Sequence, residues 1–192
     1  MSLKIAIAQI NATVGDFAGN RARILDLPER ARQQGADLLL TPELALCGYP
    51  PEDLLLRADF CETCERELDA LANSLQGIAV LVGHPEKRDS HCYNAATLLN
   101  DGQRLATYYK QRLPSYEVFD EERYFDSGDG PCVLTLKGIR CGVNICADVW
   151  EPGAADLARA AGAAILLVLN ASPYHMGKRE RRTEVLRQRI AT

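Results

Sequence analysis

Apolar and polar positions along the chain follow two periods, one typical of strands and one typical of helices. Four apolar runs are typical of buried strands: residues 4–10, 36–43, 78–84 and 164–172. Stretches with helical spacing lie between or after them: residues 18–34, a stretch from the proline-rich loop 47–56 to about residue 75, residues 153–162, and residues from 177 onward. We expect Pro28 to bend or break the first helix and Gly35 to end it.

Two further segments have the pattern of β-hairpins. In residues 93–110, two apolar runs surround Asp101-Gly102, a strong signal for a type I′ turn. In residues 133–146, Lys137-Gly138 separates two similar runs. Apolar strands separated by helices predict sheets covered by helices, and the hairpins make those sheets mixed and not purely parallel. The pattern therefore predicts an α/β fold, with residues 1–192 forming one domain.

Composition and charge narrow the possible functions. A net charge of −4 with mixed signs argues against general binding to nucleic acid or to anionic membranes. No apolar run reaches the roughly 20 residues that span a bilayer, and the first apolar stretch is typical of a strand and not of a signal peptide. The seven cysteines, an odd number, favour reduced thiols and a cytoplasmic location. Cys61 and Cys64 have no further ligand pair, so we expect no metal site.

Three residues with chemical potential stand at predicted strand ends, where reactive groups of α/β proteins tend to lie. They are Glu43, Lys110 and Cys146. Taken singly, each has a simpler interpretation: a helix N-terminal acid, a surface cation and a small buried apolar residue. Taken together, they form a possible catalytic set, since a carboxylate can deprotonate a thiol and an ammonium can stabilise the oxyanion formed at an attacked acyl group. Such a set hydrolyses amides without histidine.

Three segments carry a resemblance to a known family. LLLTPELALCGYPPEDLL, YYKQRLPSYEVFDEERYFDSGD and GVNICADVW resemble, in order and spacing, the three motif blocks of the nitrilase superfamily. Within it, GYPPEDLL, LPSYEVFDEERYF and NASPYHMGK are similar to the glutamine-hydrolysing domain of glutamine-dependent NAD⁺ synthetases. The resemblance implies a nitrilase-like αββα sandwich with Glu43 as general base, Lys110 as transition-state stabiliser and Cys146 as nucleophile.

The same resemblance implies roles for five further residues. Glu121 corresponds to the additional buried acid beside the lysine. Tyr116, Ser172 and Lys178 fall where domains of this type contact glutamine, although a packing aromatic, a strand-end cap and a surface cation are simpler alternatives. We expect the backbone N–H of Ala147 to point at the forming oxyanion. The family usually has an acid directly after the nucleophile, so Ala147 implies weaker or rerouted recognition of the substrate α-amino group.

The expected function is hydrolysis of the glutamine side-chain amide through a cysteine thioester. The expected partners are L-glutamine and an ATP-dependent NAD⁺ synthetase domain that accepts the ammonia and amidates deamido-NAD⁺; a homo-oligomer is expected from the resemblance alone. We expect no cofactor in residues 1–192, and ATP and Mg²⁺ only in the synthetase domain. DSGDG at 126–130 lacks the lysine and glycine-rich nest of a phosphate loop.

Two alternatives stay open: a stand-alone amidase acting on another small ω-amide, and a non-catalytic domain that binds partner subunits. The resemblance also predicts further strands after the helix that begins near residue 178. We therefore expect residues 1–192 to be an incomplete domain at the C-terminus. On that expectation, an uncovered apolar face beside residues 164–170 makes this length weakly active and prone to self-association.

Overall fold

The computed structural model describes residues 2–116 and 119–191, and within them two β-sheets lie between layers of helices. The strands are β1 (Ile5–Ile7), β2 (Leu38–Leu40), β3 (Ala79–Arg88), β4 (His91–Asn100), β5 (Gln103–Tyr109), β6 (Cys132–Leu136), β7 (Ile139–Ile145) and β8 (Ile165–Leu169). The helices are α1 (Phe17–Leu25), α2 (Pro28–Gln33), α3 (Ala58–Ser74), α4 (Ala154–Ala160) and α5 (Lys178–Ala191).

The larger sheet has five strands in the order β1-β2-β3-β4-β5, and the smaller has three in the order β6-β7-β8. In the larger sheet β1, β2 and β3 are parallel, whereas β3, β4 and β5 form an antiparallel meander. In the smaller sheet β6 pairs antiparallel with β7, and β7 pairs parallel with β8. Both sheets are therefore mixed, as the hairpins predicted.

Alternate side chains of the larger sheet face two different cores, because successive residues of a strand point to opposite faces. Leu39 and Val80 pack with the apolar faces of α1 and α3. Leu38 and Leu81 pack instead against Val143 and neighbouring residues of the smaller sheet. Helix α4 contacts β7 on the far side of that sheet. The layer order is helix, sheet, sheet, helix, so the expected nitrilase-like αββα sandwich is confirmed.

Local sequence signals explain several boundaries. Pro28 is the first residue of α2 and divides the predicted long helix into α1 and α2. Both residues of each predicted hairpin turn have positive φ, +45° and +81° at Asp101 and Gly102 and +47° and +75° at Lys137 and Gly138, as a type I′ turn requires.

One prediction about the strands was incomplete. The run at 78–84 was expected to end at His84, but β3 continues to Arg88 and turns directly into β4. Pro85 and the charged residues Glu86, Lys87 and Arg88 conceal this extension in the sequence, since proline and exposed charges are typical of a loop. The extension places β4, and with it Asn94, in register with His84 and Pro85.

An apolar groove of about 720 Å³ lies along the smaller sheet, between β8 and α5. Its lining includes Ile7, Ile165, Leu166, Leu186 and Ile190. Within β8, Leu167 and Leu169 are buried, whereas Leu166 and Val168 on the opposite face are half-buried. Among the described residues, the face of β8 that carries Leu166 and Val168 is therefore only partly covered.

Candidate active site

The ends of four strands from both sheets converge on one buried cluster. Glu43 lies in the turn after β2, Lys110 directly after β5, and Cys146 directly after β7. Glu121 begins a short 3-10 turn in the segment after β5. Ser172 follows β8 and brings the fourth strand end to the same place. We call Glu43, Lys110, Glu121 and Cys146 the buried cluster.

Lys110 is the centre of the cluster. Its Nζ donates to Glu43 Oε1 at 2.6 Å and to both carboxylate oxygens of Glu121 at 2.9 and 2.7 Å. The Lys110 side chain is 0% exposed, which excludes the surface-cation interpretation. Burial alone would lower the pKa of Lys110, but the carboxylates of Glu43 and Glu121 raise it above its ordinary value. The ammonium is therefore permanently charged in a site that water scarcely reaches.

Glu43 is 2% exposed, and its carboxylate accepts hydrogen bonds from three donors of the described residues. Besides Lys110, Oε1 accepts from Asn94 Nδ2 at 2.8 Å, and Oε2 accepts from the backbone N–H of Ala171 at 3.2 Å. The last contact ties Glu43 to the segment that carries Ser172. A buried carboxylate held in this way is fixed in orientation and can accept a proton without a change of rotamer.

The turn that holds Glu43 is packed against Gly83 of β3. A Cβ built at Gly83 would lie 2.5 Å from the carbonyl oxygen of Pro42 and 2.6 Å from the amide nitrogen of Leu44. Leu44 itself has φ +50°, in the left-handed region that residues with a side chain seldom adopt. Glycine at position 83 therefore lets the backbone on both sides of Glu43 approach the sheet.

Glu121 completes the cluster on the far side of Lys110. Tyr49 donates its phenolic hydroxyl to Glu121 Oε1 at 2.9 Å. Burial raises the pKa of Glu121, the nearby Glu43 carboxylate adds to this, and the Lys110 ammonium offsets part of it. Two carboxylates thus share one ammonium, so the positive charge of Lys110 is held in place from two directions.

Cys146 is 7% exposed, and its Sγ lies 3.2 Å from Ser172 Oγ. Burial, together with the Glu43 carboxylate, raises the pKa of the thiol to about 12, although Lys110 acts in the opposite direction. The thiol is therefore protonated at neutral pH and needs a base in order to attack. The Glu43 carboxylate interacts with this thiol, so a possible proton acceptor lies beside it.

Residues predicted to contact substrate lie outside the buried cluster. Tyr116 is 55% exposed, and it lines a polar cavity of about 440 Å³ together with Ala147 and Trp150. The Nζ of Lys178 lies 4.6 Å from the centre of the Trp150 ring, over its face. Tyr116 and Ala147 thus line the same cavity, and Ser172 contacts the thiol. Lys178 packs on Trp150, which is itself part of the lining.

Sequence reasoning missed two residues of the site. Asn94 and Tyr49 bind the carboxylates of Glu43 and Glu121, but they come from β4 and from the proline-rich loop. A signal for Asn94 was present, because an amide in the apolar run of residues 93–99 must find a partner when the strand is buried. Among the described residues, no group of His, Cys, Asp or Glu could hold a metal ion, and no helix has the length and apolar character of a membrane span.

The fold and this constellation of carboxylates, lysine and cysteine define a hydrolase of carbon–nitrogen bonds. The chain belongs to the carbon-nitrogen hydrolase family, whose pattern matches residues 4–192. It is 47% identical to the glutamine-dependent NAD(+) synthetase of Xanthomonas campestris over 98% of this chain, and it spans 35% of that relative.

Two solved structures support the relationship. A glutamine-dependent NAD⁺ synthetase from Acinetobacter baumannii matches with a TM-score of 0.92 at 34% identity, over 97% of this chain and 35% of that one. An amidase from Nesterenkonia sp. matches with a TM-score of 0.84 at 30% identity, over 97% of this chain and 71% of that one. The chain therefore spans about a third of the synthetase relatives.

Proposed function

We propose that this chain hydrolyses the side-chain amide of L-glutamine through a thioester on Cys146. The observation that carries the proposal is the Lys110 ammonium, buried between Glu43 and Glu121 beside a thiol that Glu43 can deprotonate. A fixed positive charge in a water-poor site stabilises the negative charge that develops on an attacked carbonyl oxygen. Similarity to glutamine-dependent synthetases over 98% of this chain supports glutamine as the amide.

The proposed reaction has two halves. In the first, Glu43 takes the thiol proton as Sγ attacks the amide carbon, and Lys110 with the Ala147 N–H stabilises the oxyanion. Glu43 then passes the proton to the leaving nitrogen, the C–N bond breaks, and ammonia departs. In the second half, Glu43 deprotonates a water molecule that attacks the thioester, which releases glutamate and returns the proton to Cys146. Each proton taken up by Glu43 is thus given back within one turnover.

Chemistry at the cysteine of a relative supports this choice of nucleophile. In a mutant of the Nesterenkonia amidase, acrylamide has added to the active-site cysteine. In another mutant, the acetamide moiety of fluoroacetamide is attached covalently at that cysteine. The corresponding thiol in this chain, on our proposal, is Cys146, with Tyr116, Ser172 and Lys178 contacting the remainder of the substrate.

The proposal extends to the fate of the ammonia. We propose that it passes to an ATP-dependent NAD⁺ synthetase domain, which amidates deamido-NAD⁺, and that the protein works in the cytoplasm. The synthetase names of the relatives support this destination. ¹⁵N in the side-chain amide of glutamine should then appear in NAD⁺ when that domain, ATP and deamido-NAD⁺ are present. Label released only as free ammonium would contradict the transfer.

A second candidate function is a stand-alone amidase for another small ω-amide. Ala147 favours it, because this position offers no charge to the α-amino group of glutamine, and so does the TM-score of 0.84 with an amidase. The two functions are separated by steady-state rates on glutamine, asparagine, propionamide and butyramide. Glutamine should have the highest kcat/KM by at least about tenfold; a preference for amides without an α-amino group would establish the second function instead.

Covalent trapping tests the nucleophile itself. A diazo-ketone analogue of glutamine should label Cys146 alone, and peptide mass spectrometry should locate the adduct. Cys141 is the matched control, since it is a buried thiol in β7, the strand that Cys146 directly follows. Label on Cys141, Cys47 or Cys132 would overturn the assignment, and the absence of both label and turnover would leave a partner-binding domain as the better description.

A further inference from the structure

Asp148 is a buried carboxylate that the proposed reaction does not use. It lies two residues after Cys146, in the 3-10 turn Cys146–Val149, and it is 0% exposed. Burial raises the pKa of Asp148, and no lysine or arginine among the described residues forms an ion pair with it. A carboxylate without a cation inside a protein is costly unless hydrogen bonds compensate, so its partners indicate why it is there.

Four donors converge on this carboxylate from two directions. Oδ1 accepts from the backbone N–H groups of Gln111 and Arg112, at 3.0 and 2.8 Å. Oδ2 accepts from the backbone N–H of Ile145 and from the hydroxyl of Tyr108, both at 2.8 Å. The two oxygens are therefore saturated, each with two donors, and no other side chain of natural proteins except glutamate can accept in this way.

The donors belong to the two strand ends that carry the proposed nucleophile and its electrostatic partner. Ile145 ends β7 and directly precedes Cys146. Gln111 and Arg112 directly follow Lys110, at the end of β5. These strands belong to different sheets. Asp148 thus links the two sheets at the strand ends that carry Cys146 and Lys110.

The same hydrogen bonds also hold the unusual backbone conformation of Cys146. Cys146 has φ +43°, in the left-handed region, and a residue with a side chain remains there only where its surroundings hold it. The bond from the Ile145 N–H to Asp148 Oδ2 closes the turn across Cys146 itself. The same carboxylate thereby fixes both the turn that presents the thiol and its distance from the lysine strand.

We propose that Asp148 is a positioning residue that sets the placement of Cys146 Sγ relative to Lys110 Nζ. This inference rests on the proposed thiol chemistry of Cys146. Its four hydrogen bonds go to the two strand ends and not to Sγ or Nζ, so its loss should slow the chemical step while substrate binding persists. A purely structural capping role would instead alter stability without a specific effect on kcat.

The test compares Asp148 with Asp156, a second aspartate that accepts a hydrogen bond from a backbone N–H. In Asp148→Asn, an amide NH₂ must face two donors on one side of the carboxylate, so the shape persists and part of the link is lost. In the control Asp156→Asn, the residue that accepts from the Gly153 N–H at the start of α4 is changed in the same way. Among the described residues, the hydrogen bond of Asp156 stays within the start of α4 and does not reach the strand of Lys110, so this variant controls for the loss of a capping carboxylate away from the two strand ends.

We expect kcat for glutamine to fall about 100-fold in Asp148→Asn, with KM changed less than about threefold, because small displacements of reacting groups are this costly. Asp156→Asn should keep wild-type kcat and KM. Thermal melting of both variants reports folding. Unchanged kcat in a folded Asp148→Asn protein, or equal losses in both variants, would overturn the proposal.

A milder variant covers the case in which Asp148→Asn does not fold. Tyr108→Phe removes one of the four donors and should lower kcat by roughly tenfold, again with KM nearly constant. Wild-type kcat in a folded Tyr108→Phe protein would contradict the proposal in that case.

A second readout needs no glutamine. The rate at which iodoacetamide alkylates Cys146, followed by peptide mass spectrometry, should fall about tenfold in Asp148→Asn and stay constant in Asp156→Asn. If glutamine turned out not to be the substrate, this difference would still support the positioning role. Equal alkylation rates in wild type and both variants would overturn the positioning role, whatever the substrate.

Discussion

The buried cluster and the residues around the polar cavity are built in opposite ways. Glu43, Lys110 and Cys146 stand at strand ends, and each side chain is held by partners from several segments. Tyr116 is exposed in a loop, and Lys178 begins a helix, where it contacts the ring of Trp150. The rigid region suits a reaction step that tolerates little displacement, and the open region suits selection among substrates. We therefore expect mutations in the first to change kcat and mutations in the second to change KM.

The largest effect should follow Cys146→Ala, which removes the proposed nucleophile and little volume. Loss of a covalent route lowers turnover by at least about 10³-fold in well-studied hydrolases, and we expect the same for glutamine hydrolysis. Cys141→Ala, a buried substitution in the strand β7 that precedes Cys146, should keep turnover within about threefold. Turnover equal to wild type in Cys146→Ala would remove the buried cluster from the reaction.

Lys110→Met should come next, with kcat about 10²- to 10³-fold lower and KM little changed, since the ammonium acts on charge that develops in the transition state. The variant also leaves Glu43 and Glu121 as unpaired buried carboxylates, which should lower the free energy of unfolding by roughly 3–5 kcal/mol. Urea titrations measure that loss.

A double variant separates the loss of kcat from the loss of stability in Lys110→Met. Lys110→Met with Glu121→Gln removes one carboxylate along with the ammonium, so the free energy of unfolding should recover in part while kcat stays low. A recovery of kcat together with stability would mean that Lys110 acts only as a structural counter-ion.

The pH dependence of alkylation tests the assignment of Glu43 as base. Burial and Glu43 raise the pKa of the Cys146 thiol to about 12, so the thiol by itself is protonated throughout the neutral range. Glu43→Gln lowers the thiol pKa somewhat but removes the proposed base, and we expect the loss of the base to be the larger effect, so alkylation of Cys146 by iodoacetamide should fall at pH 7. Because burial, the largest cause of the raised pKa, persists in that variant, its rate should then rise more than about tenfold between pH 8 and 10, whereas a free thiol with a pKa of about 8.5 rises only a few-fold. A plateau above pH 9 in Glu43→Gln would contradict a raised pKa.

The smallest effect belongs to the open region. Lys178→Met should raise KM for glutamine about tenfold, in line with loss of one charge-assisted contact, and leave kcat nearly unchanged. Lys137→Met, which removes an exposed lysine paired with Asp37 far from the site, is the control. A fall in kcat with constant KM for Lys178→Met would show that the division between the two regions is wrong.

Local signals predicted much of the fold. The type I′ turns at Asp101-Gly102 and Lys137-Gly138 and the break at Pro28 depend on neighbouring residues alone, and the structure has them where the sequence placed them. The end of β3 was not predictable in this way. Pairing with β4 stabilises Glu86–Arg88 as a strand, and that pairing is a property of two segments together.

The same distinction applies to the site. Glu43, Lys110 and Cys146 carry short motifs and stand next to apolar strands, so the sequence could propose them. Tyr49 donates a hydrogen bond to Glu121, 72 positions away along the chain, and Asn94 donates one to Glu43, 51 positions away. Asp148 depends on the approach of β5 to β7. Contacts of this kind leave no local pattern, because they arise only after the sheets have packed.

Because water is excluded from Lys110 and its two carboxylates, dissolved ions should screen these charges only weakly. Mobile ions screen charges that water reaches, over a Debye length of about 8 Å at physiological ionic strength, and they screen buried pairs much less. The side chains of Lys110, Glu43 and Glu121 are 0%, 1% and 7% exposed. Added salt should therefore leave the chemical step almost unaffected, whereas it should weaken the contact that we propose between Lys178 and glutamine. A higher sodium chloride concentration should increase KM and leave kcat unchanged. Salt therefore distinguishes the buried cluster, which acts on kcat, from Lys178, which acts on KM.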